Sequence, residues 1–372
     1  MTFTLGTQFK IHVFGESHGE GIGVVVEGCP PGLILDVDQI QRELNKRRPG
    51  SSPLVSTRDE KDQVHIMSGI FEGRTTGAPI TMSIQNQDVD SSSYDKNKHT
   101  PRPGHADYTS RIKYKGFNDH RGSGFFSGRM TAAFVMAGAI ARQLLFDEGI
   151  KVLAHVTRIG TIESKQDVTI QEIVNNVYDN IVRTADRDSV QQMESEIAKA
   201  KDDGDSVGGI IECQIIGVPV GLGEPIFDSV ESIISHSIFS IPAVKGIEFG
   251  SGFAGSKKRG SKNNDSPILV DGIIGWSKND AGGVLGGITN GAPVTFRVAI
   301  KPTATITKKQ DTVDLMKMKE TTIEAGGRHD PCIVPRVVPV IEAMAAISIV
   351  DLILRNYSTI NNKSNSISGG GR

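Results

Sequence analysis

The sequence predicts an α+β fold, in which two similar antiparallel sheets form one body with helices packed between or against them. Three observations predict it. Short stretches alternate apolar and polar residues at strand period in both halves. Two long segments are apolar on nearly every helical face. Two pairs of segments echo each other, in the same order, about two hundred residues apart.

Phe9, Ile11 and Val13 point one way with Lys10 and His12 opposed, the two-residue period of a half-buried strand. Ile80, Met82 and Ile84 repeat it, as do Val294, Phe296, Val298 and Ile300. Asp36 or Asp38 is placed to cap a helix through Ile40 and Leu44, and Thr169 with Glu172 and Ser189 with Gln192 stand at capping-box spacing. The Ala-rich run from Met130 to Phe146, ending near Gly149, predicts a helix buried between layers. Val337 to Leu354 reads the same way.

Gly28 to Leu33 (GCPPGL) is echoed by Gly217 to Leu222 (GVPVGL), and Gly73 to Thr81 (GRTTGAPIT) by Gly287 to Thr295 (GITNGAPVT). A chance likeness of Gly-Pro turns explains either match alone. Two in register predict a duplicated half-domain, about 1–150 and 205–355, within a single domain of residues 1–355. Residues 356–372 are too polar to offset their ordering entropy by burial and are expected to form a disordered tail.

The formal net charge of −2 supplies no basic field for nucleic acid or a membrane surface, so any anion site must be built locally from Arg and Lys. Cys29, Cys213 and Cys332 form no CxxC pair, which argues against a disulfide framework or a thiolate metal site; no metal is expected. The N-terminus lacks the basic and apolar regions of a signal peptide, and no uninterrupted apolar run reaches about 18 residues, so a cytoplasmic protein is expected. The 42 glycines gather in polar loops bearing Arg, His and Ser, as ligand-hugging loops do.

Four such loops stand out. Phe14 to Gly19 (FGESHG) presents Ser17 and His18 on a tight turn after a strand; His18 suits proton donation, although a structural turn reads equally well. Pro101 to Asp107 (PRPGHAD) holds Arg102 and His105 on a stiff segment suited to anions, or is a surface loop with a solvated His. Asp119 to Thr131 feeds a glycine-rich turn into the buried helix, where free N–H groups favour a phosphate; it is neither a P-loop nor a dinucleotide fingerprint. Basic residues mark Lys46 to Gly50, where Arg47 and Arg48 also complement a helix C-terminus, and Gly327 to Pro331, where Arg328, His329 and Asp330 adjoin.

As a set, these motifs resemble the chorismate synthase family. The likeness is carried by Gly15 to Gly19 (GESHG), Arg47 to Gly50 (RRPG), Arg102 to Asp107 (RPGHAD) and Ser127 to Arg129 (SGR). It continues through Ser240 to Glu248 (SIPAVKGIE), Ala281 to Gly287 (AGGVLGG), Lys301 to Thr303 (KPT) and Gly327 to Cys332 (GRHDPC), spanning about residues 5 to 350 in the family's order.

The resemblance implies a β-α-β sandwich subunit, usually in a homotetramer, binding FMN in its reduced form. It implies a carbon–oxygen lyase that removes phosphate and a ring hydrogen from 5-enolpyruvylshikimate 3-phosphate by 1,4-anti elimination, giving chorismate for aromatic amino-acid biosynthesis. By position, Arg47, Arg102, Arg129 and Arg328 would embrace the substrate's anionic groups, with Ser17 and Ser127 adding hydrogen bonds. His18 would donate a proton to the departing phosphate, His105 would lie near the flavin ring, and Asp330 would assist removal of the ring proton. Flavin contacts would be Phe125, Phe126, Ser127, Ala243, Gly286, Lys301, Pro302, Thr303, Ala304, Thr305 and Arg328; Arg47 is the candidate NADP contact. No nicotinamide-site motif is recognisable, which favours a separate flavin reductase over self-reduction by NADPH.

Three departures from the family pattern bear on this. Phe125 stands where many members carry an Arg and supplies no cation. Pro53 replaces another anion-binding Arg, with Arg58 the nearby substitute. Asp280 replaces the His common before Ala281. A flavin-dependent reductase on the same scaffold, or a binding protein that keeps the pockets, remain the rival readings.

Overall fold

The computed structural model describes residues 3–48, 60–325 and 330–367. The first sheet comprises β1 (Thr4–Leu5), β2 (Lys10–Gly15), β3 (Gly21–Glu27), β4 (His65–Ile66) and β5 (Ile80–Gln85), in the antiparallel order β1-β2-β3-β5-β4. The second comprises β6 (Lys151–Ile159), β7 (Ile162–Glu163), β8 (Gly209–Ile216), β9 (Val244–Phe249) and β10 (Val294–Ile300), in the order β9-β10-β8-β6-β7, again antiparallel.

Four helices matter for the site: α1 (Val37–Arg47), α2 (Thr131–Asp147), α3 (Val230–Ile238) and α4 (Val334–Ile367). Helix α2 packs on β3, α4 packs on β6, and the two helices pack on each other, so the sandwich is sheet, helices, sheet. The inward rows, Ile22, Val24 and Val26 with Ile80, Met82 and Ile84 on one sheet, and Ile211, Cys213 and Ile215 with Val294, Phe296 and Val298 on the other, are fully buried. Small residues bring the two helices together: a Cβ on Gly138 would lie 2.3 Å from the Cβ of Ala343. By length and composition the segments Gly128–Asp147 and Val334–Tyr357 match membrane spans, yet 72% and 94% of them is buried inside the protein, where they fill the core.

The echo in sequence is a duplication in structure. Thr75 Oγ1 donates to Pro30 O (2.7 Å) and accepts from Leu33 N (3.0 Å); Thr289 Oγ1 donates to Pro219 O (2.6 Å) and accepts from Leu222 N (2.9 Å). Gly32 N and Gly221 N donate to the carbonyls of Thr75 and Thr289 in the same way. Each clasp closes the turn after the first strand of a pair, β3 with β5 and β8 with β10. In each half the second strand of the pair leads, through a long connection (86–130 or 301–333), into a core helix.

Asp36, not Asp38, caps α1, its Oδ1 accepting from Gln39 N at 2.9 Å, and Thr169 with Glu172 forms a full capping box. The expected cap at Ser189 is not formed. Asp186 caps the turn before it instead, and the Ser189 hydroxyl donates to Asp186 O. Helix α4 continues to Ile367, twelve residues into the expected disordered tail. No Gly or Pro interrupts that stretch before Gly369, and extending an already buried helix avoids the cost of nucleation.

Candidate active site

A cavity of about 710 Å³ opens where the two long connections meet, beside the C-terminus of α1 and the N-termini of α2 and α4. Its wall brings together Arg47, Arg102, His105, the run Phe125 to Arg129, Ala243, Lys301 to Thr305, and Asp330. The two connections are stitched to each other: Arg102 Nη1 donates to Thr305 Oγ1 (3.0 Å), Lys301 Nζ to Gly104 O (2.8 Å), and Thr312 Oγ1 to Pro101 O (2.6 Å).

The glycine-rich loop reaches this wall through a contorted backbone. Gly122, Ser123 and Gly124 all have positive φ (56°, 71° and 53°), which turns the chain so that Phe125 and Phe126 sit together, ring centroids 4.6 Å apart. Ser127 then caps the start of the helical run, its Oγ accepting from Arg129 N at 3.2 Å.

Each described arginine on the wall carries a carboxylate. Arg102 grips Asp107 through two bonds (Nε to Oδ2, 2.8 Å; Nη2 to Oδ1, 2.7 Å) and also donates to Ser123 Oγ (2.8 Å). Burial alone would raise the Asp107 carboxyl, but hydrogen bonds and charge from Arg102 and His105 outweigh it and hold the group well below the usual range. His105 Nδ1 lies 2.7 Å from Asp107 Oδ1 and 3.1 Å from Arg102 Nη2, so the imidazole is held between the carboxylate and the guanidinium. Arg47 donates from Nε to Thr131 Oγ1 (3.0 Å), from Nη2 to Gly128 O (3.0 Å) and from Nη1 to Asp62 Oδ2 (3.5 Å). Arg129 binds the other Asp62 oxygen and Asn86 Oδ1 (3.0 Å), and Arg336 of α4 pairs with Asp330 and donates to Arg47 O (3.2 Å).

Lys245 and Lys301 complete the cationic lining. Burial and the neighbouring charge of Lys245 both lower the Lys301 ammonium pKa. Six cations (Arg47, Arg102, Arg129, Lys245, Lys301 and Arg336) thus face a cavity with Asp330 as the one carboxylate among its described lining residues. Because Asp62, Glu60, Asp107 and Asp330 offset the arginines, the surplus positive charge comes from Lys245 and Lys301, in a chain of net charge −2.

Not every expected residue lies on this wall. His18 and Ser17 sit behind Gly122: His18 Nδ1 is 2.8 Å from Ser91 Oγ, its ring stands edge-on to Tyr94, and Ser17 N donates to Gly124 O. Gly286 lies in the hairpin Val284–Leu285/Ile288–Thr289, away from the cavity lining. Arg328, His329, Pro53 and Arg58 fall outside the described residues. Asp280 pairs with Lys258 (2.8 Å) and Lys278 on the surface, so the loss of a His there does not touch this wall.

The family model described as chorismate synthase matches residues 9–354. The chain belongs to the chorismate synthase family. Curated chorismate synthases from Korarchaeum cryptofilum (50% identical; 94% of this chain, 97% of the relative), Dehalococcoides mccartyi strain BAV1 (48%; 95% and 97%) and Methanosarcina mazei (48%; 94% and 96%) are similar over nearly their whole lengths. A crystal structure of chorismate synthase shares the fold with a TM-score of 0.76 at 30% identity, covering 94% of this chain and 93% of that one. Chorismate synthases are lyases, and the chain is an enzyme of that class.

Sequence reasoning passed over several groups that line the cavity or hold its arginines. Lys245 lay inside a quoted motif with no role attached, and Asp107 was the unremarked end of another. Arg336, Asp62 and Asn86 belong to no glycine loop, and only their approach in space marks them. Among the described residues, no group of three or more His, Cys, Asp or Glu is arranged to hold a metal.

Proposed function

We propose that this chain converts 5-enolpyruvylshikimate 3-phosphate to chorismate by 1,4-anti elimination of phosphate, with reduced FMN bound beside the substrate. The observation that carries this reading is a cavity lined by four carboxylate-braced arginines and by Lys245 and Lys301, with an aromatic pair on its wall. Its volume lies within the roughly 300–1,000 Å³ of ordinary ligand pockets.

The residues present fit a flavin. Among the described residues Thr303 Oγ1, buried on the wall, has no hydrogen-bond partner, and Ala243 on the same wall holds an unusual φ of +73°, as backbone shaped to a ligand does. Phe125, Phe126, Ser127, Ala243 and Lys301 to Thr305 would hold FMN, with Lys301 and Lys245 matching its phosphate. When bound, reduced FMN supplies electron density that helps the carbon–oxygen bond break, with no net redox change.

The chain's own groups do the rest. Arg47, Arg102 and Arg129 donate to the phosphate and carboxylates, matching charge that grows on the leaving group. His18, whose ring abuts the back of side-chain-free Gly122 at the edge of the cavity, is assigned the proton taken up by the departing phosphate, and Asp330 takes the ring proton as the C–H bond breaks. The products are the conjugated diene and inorganic phosphate. Arg47 directs its guanidinium inward at Thr131, Gly128 and Asp62, which disfavours it as an NADP contact, and we assign flavin reduction to a separate reductase. Assembly as a homotetramer is part of the same proposal. Leu269 (77% exposed) and Ile273 (73%) on the hairpin Pro267–Val270/Ile273–Trp276 are the kind of surface a subunit contact covers. Three buried free thiols suit the reducing cytoplasm.

The test is anaerobic: purified protein, dithionite-reduced FMN and 5-enolpyruvylshikimate 3-phosphate, with chorismate absorbance and phosphate release followed together. Equimolar products over many turnovers per flavin support the proposal. Bound flavin and substrate without product defeat it. Replacing dithionite with NADPH tests the reductase assignment, and light scattering of the eluted protein tests the tetramer.

A further inference from the structure

Two arginines on the cavity wall share one buried carboxylate. Asp62 is 1% exposed, with one oxygen accepting from Arg129 Nη1 and the other from Arg47 Nη1 at 3.5 Å. Glu60, fully buried, lies 3.7 Å from Arg129 Nη2 and accepts from Gln87 N at 3.0 Å. Two guanidinium charges therefore meet two carboxylates, and the pair is close to neutral before any ligand arrives. What the carboxylates leave behind is direction: planar guanidiniums held at one edge present the remaining edge along a fixed line.

Asp62 is itself fixed with unusual care. Its φ is +46°, a left-handed backbone that non-glycine residues adopt only where the surroundings enforce it. The enforcing contacts come from α1: Gln41 Nε2 donates to Asp62 O (3.0 Å) and Gln41 Oε1 accepts from Val64 N (3.0 Å). From Arg129 the network runs on through Asn86, whose Nδ2 donates to Glu16 O and Gly19 O, both at 2.9 Å. A chain from Asp62 through Arg129 and Asn86 thus joins α1, the start of α2 and the loop that carries Ser17 and His18.

We infer that Asp62 is a positioning residue of this active site, which aims Arg47 and Arg129 together at the anionic substrate and ties their placement to the His18 loop. Glu60 supports Arg129 in the same role. Neither carboxylate touches the substrate. The inference rests on the proposed elimination from a phosphorylated substrate.

The experiment compares D62N and E60Q with the wild-type chain in the anaerobic assay, alongside FMN affinity by fluorescence quenching and thermal stability. Asparagine keeps the shape but turns one acceptor into a donor that faces a guanidinium, so one arginine loses its aim. D62N is expected to raise KM for 5-enolpyruvylshikimate 3-phosphate at least tenfold, with kcat within about fivefold and FMN affinity within twofold. E60Q is expected to raise KM by about threefold in the same direction. Unchanged KM in folded D62N overturns the inference. So does a parallel loss of KM, kcat, FMN affinity and stability, which marks a merely structural residue. Should D62N fail to fold, E60Q decides: a KM effect without an FMN effect supports the inference, and none overturns it. An inactive wild type would instead defeat the proposed function, a distinguishable result.

Discussion

Substituting Gly122 with Ala tests the placement of His18. A Cβ built on Gly122 would lie 2.1 Å from His18 Cδ2, 2.5 Å from Nε2 and 2.8 Å from Cγ. Ordinary contact between such atoms is about 3.5 Å, so the ring must retreat by roughly 1.4 Å. It cannot retreat freely, because Nδ1 is held 2.8 Å from Ser91 Oγ and the ring stands against Tyr94 at 5.3 Å between centroids. Misplacement of a reacting group by about 1 Å costs on the order of 10²-fold in rate, and a positioned proton donor contributes about 10²–10⁴. Gly122→Ala is therefore expected to lower kcat about 100-fold or more. The stability cost is smaller: about 1–2 kcal/mol for alanine at φ +56° and about 1 kcal/mol for a strained hydrogen bond. At about 2.1 cal/mol/K per residue, the unfolding entropy of 372 residues makes this a fall of roughly 3 °C in Tm. The assay is chorismate formation under saturating substrate, with calorimetry on the same sample. Gly149→Ala is the control, since φ is +73° there but nothing lies within 4 Å of the new Cβ. A folded Gly122→Ala enzyme with kcat within threefold of wild type would refute the placement of His18 as the proton donor.

Four further outcomes are expected. Asp351 of α4 accepts from Thr7 N, Thr7 Oγ1, Gln8 N and Phe9 N at 2.6–2.9 Å, so Asp351→Ala strands several buried donors and should cost about 3–5 kcal/mol by urea unfolding, with residual activity per folded molecule preserved. Asp107 has a depressed carboxyl in the folded state, so its stabilisation is present above about pH 4 and is lost as pH falls through the lower folded value; wild type should lose stability more steeply below pH 4 than Asp107→Asn does. Burial pushes the thiols of Cys29 and Cys332 up to about 11 and about 12, so neither should be alkylated by iodoacetamide at pH 8 until the chain is denatured, as mass spectrometry will read. Lys301→Ala should weaken FMN binding by about tenfold or more in fluorescence titration, with little change in Tm, because among the described residues its ammonium holds only Gly104 O.

The elements with a strong period were legible from residues alone. The rows Ile80, Met82, Ile84 and Val294, Phe296, Val298 declare a buried face, and α2 could be placed because no face of it is polar. The duplication was legible because the Thr75 and Thr289 clasps need the same turn residues in the same order. What failed was local or distant. Ser189 has a capping sequence, but Asp186 three residues earlier competes for the same turn. The polar stretch after Leu354 looks disordered by composition, which says nothing of a helix propagating out of the core. Within the site, the glycine loops exposed Arg102, His105 and Arg129 as candidates. The carboxylates that fix them did not stand out, because Asp62 and Asn86 are ordinary polar residues until folding sets them against a guanidinium. The separation of His18 from the cavity wall by Gly122 was equally invisible, since spacing along the chain carries no depth.

The doubled Thr clasps bear on how such a cavity arises. The two connections that line it, 86–130 and 301–333, occupy the same place in the two repeats, each running from the second strand of a clasped pair to a core helix. Half a chain would own one wall and an uncovered apolar sheet, and could hide that sheet only against a second copy of itself. Such a pair would have two identical clefts at its seam. Two such copies joined end to end would be free to differ, as the connections here do, one bearing Arg102, His105 and Arg129 and the other Lys301 to Thr305 and Asp330. The present enzyme can be viewed as a fused pair whose partners took up different trades, and its two halves, produced as separate polypeptides, should still find each other and close the cleft.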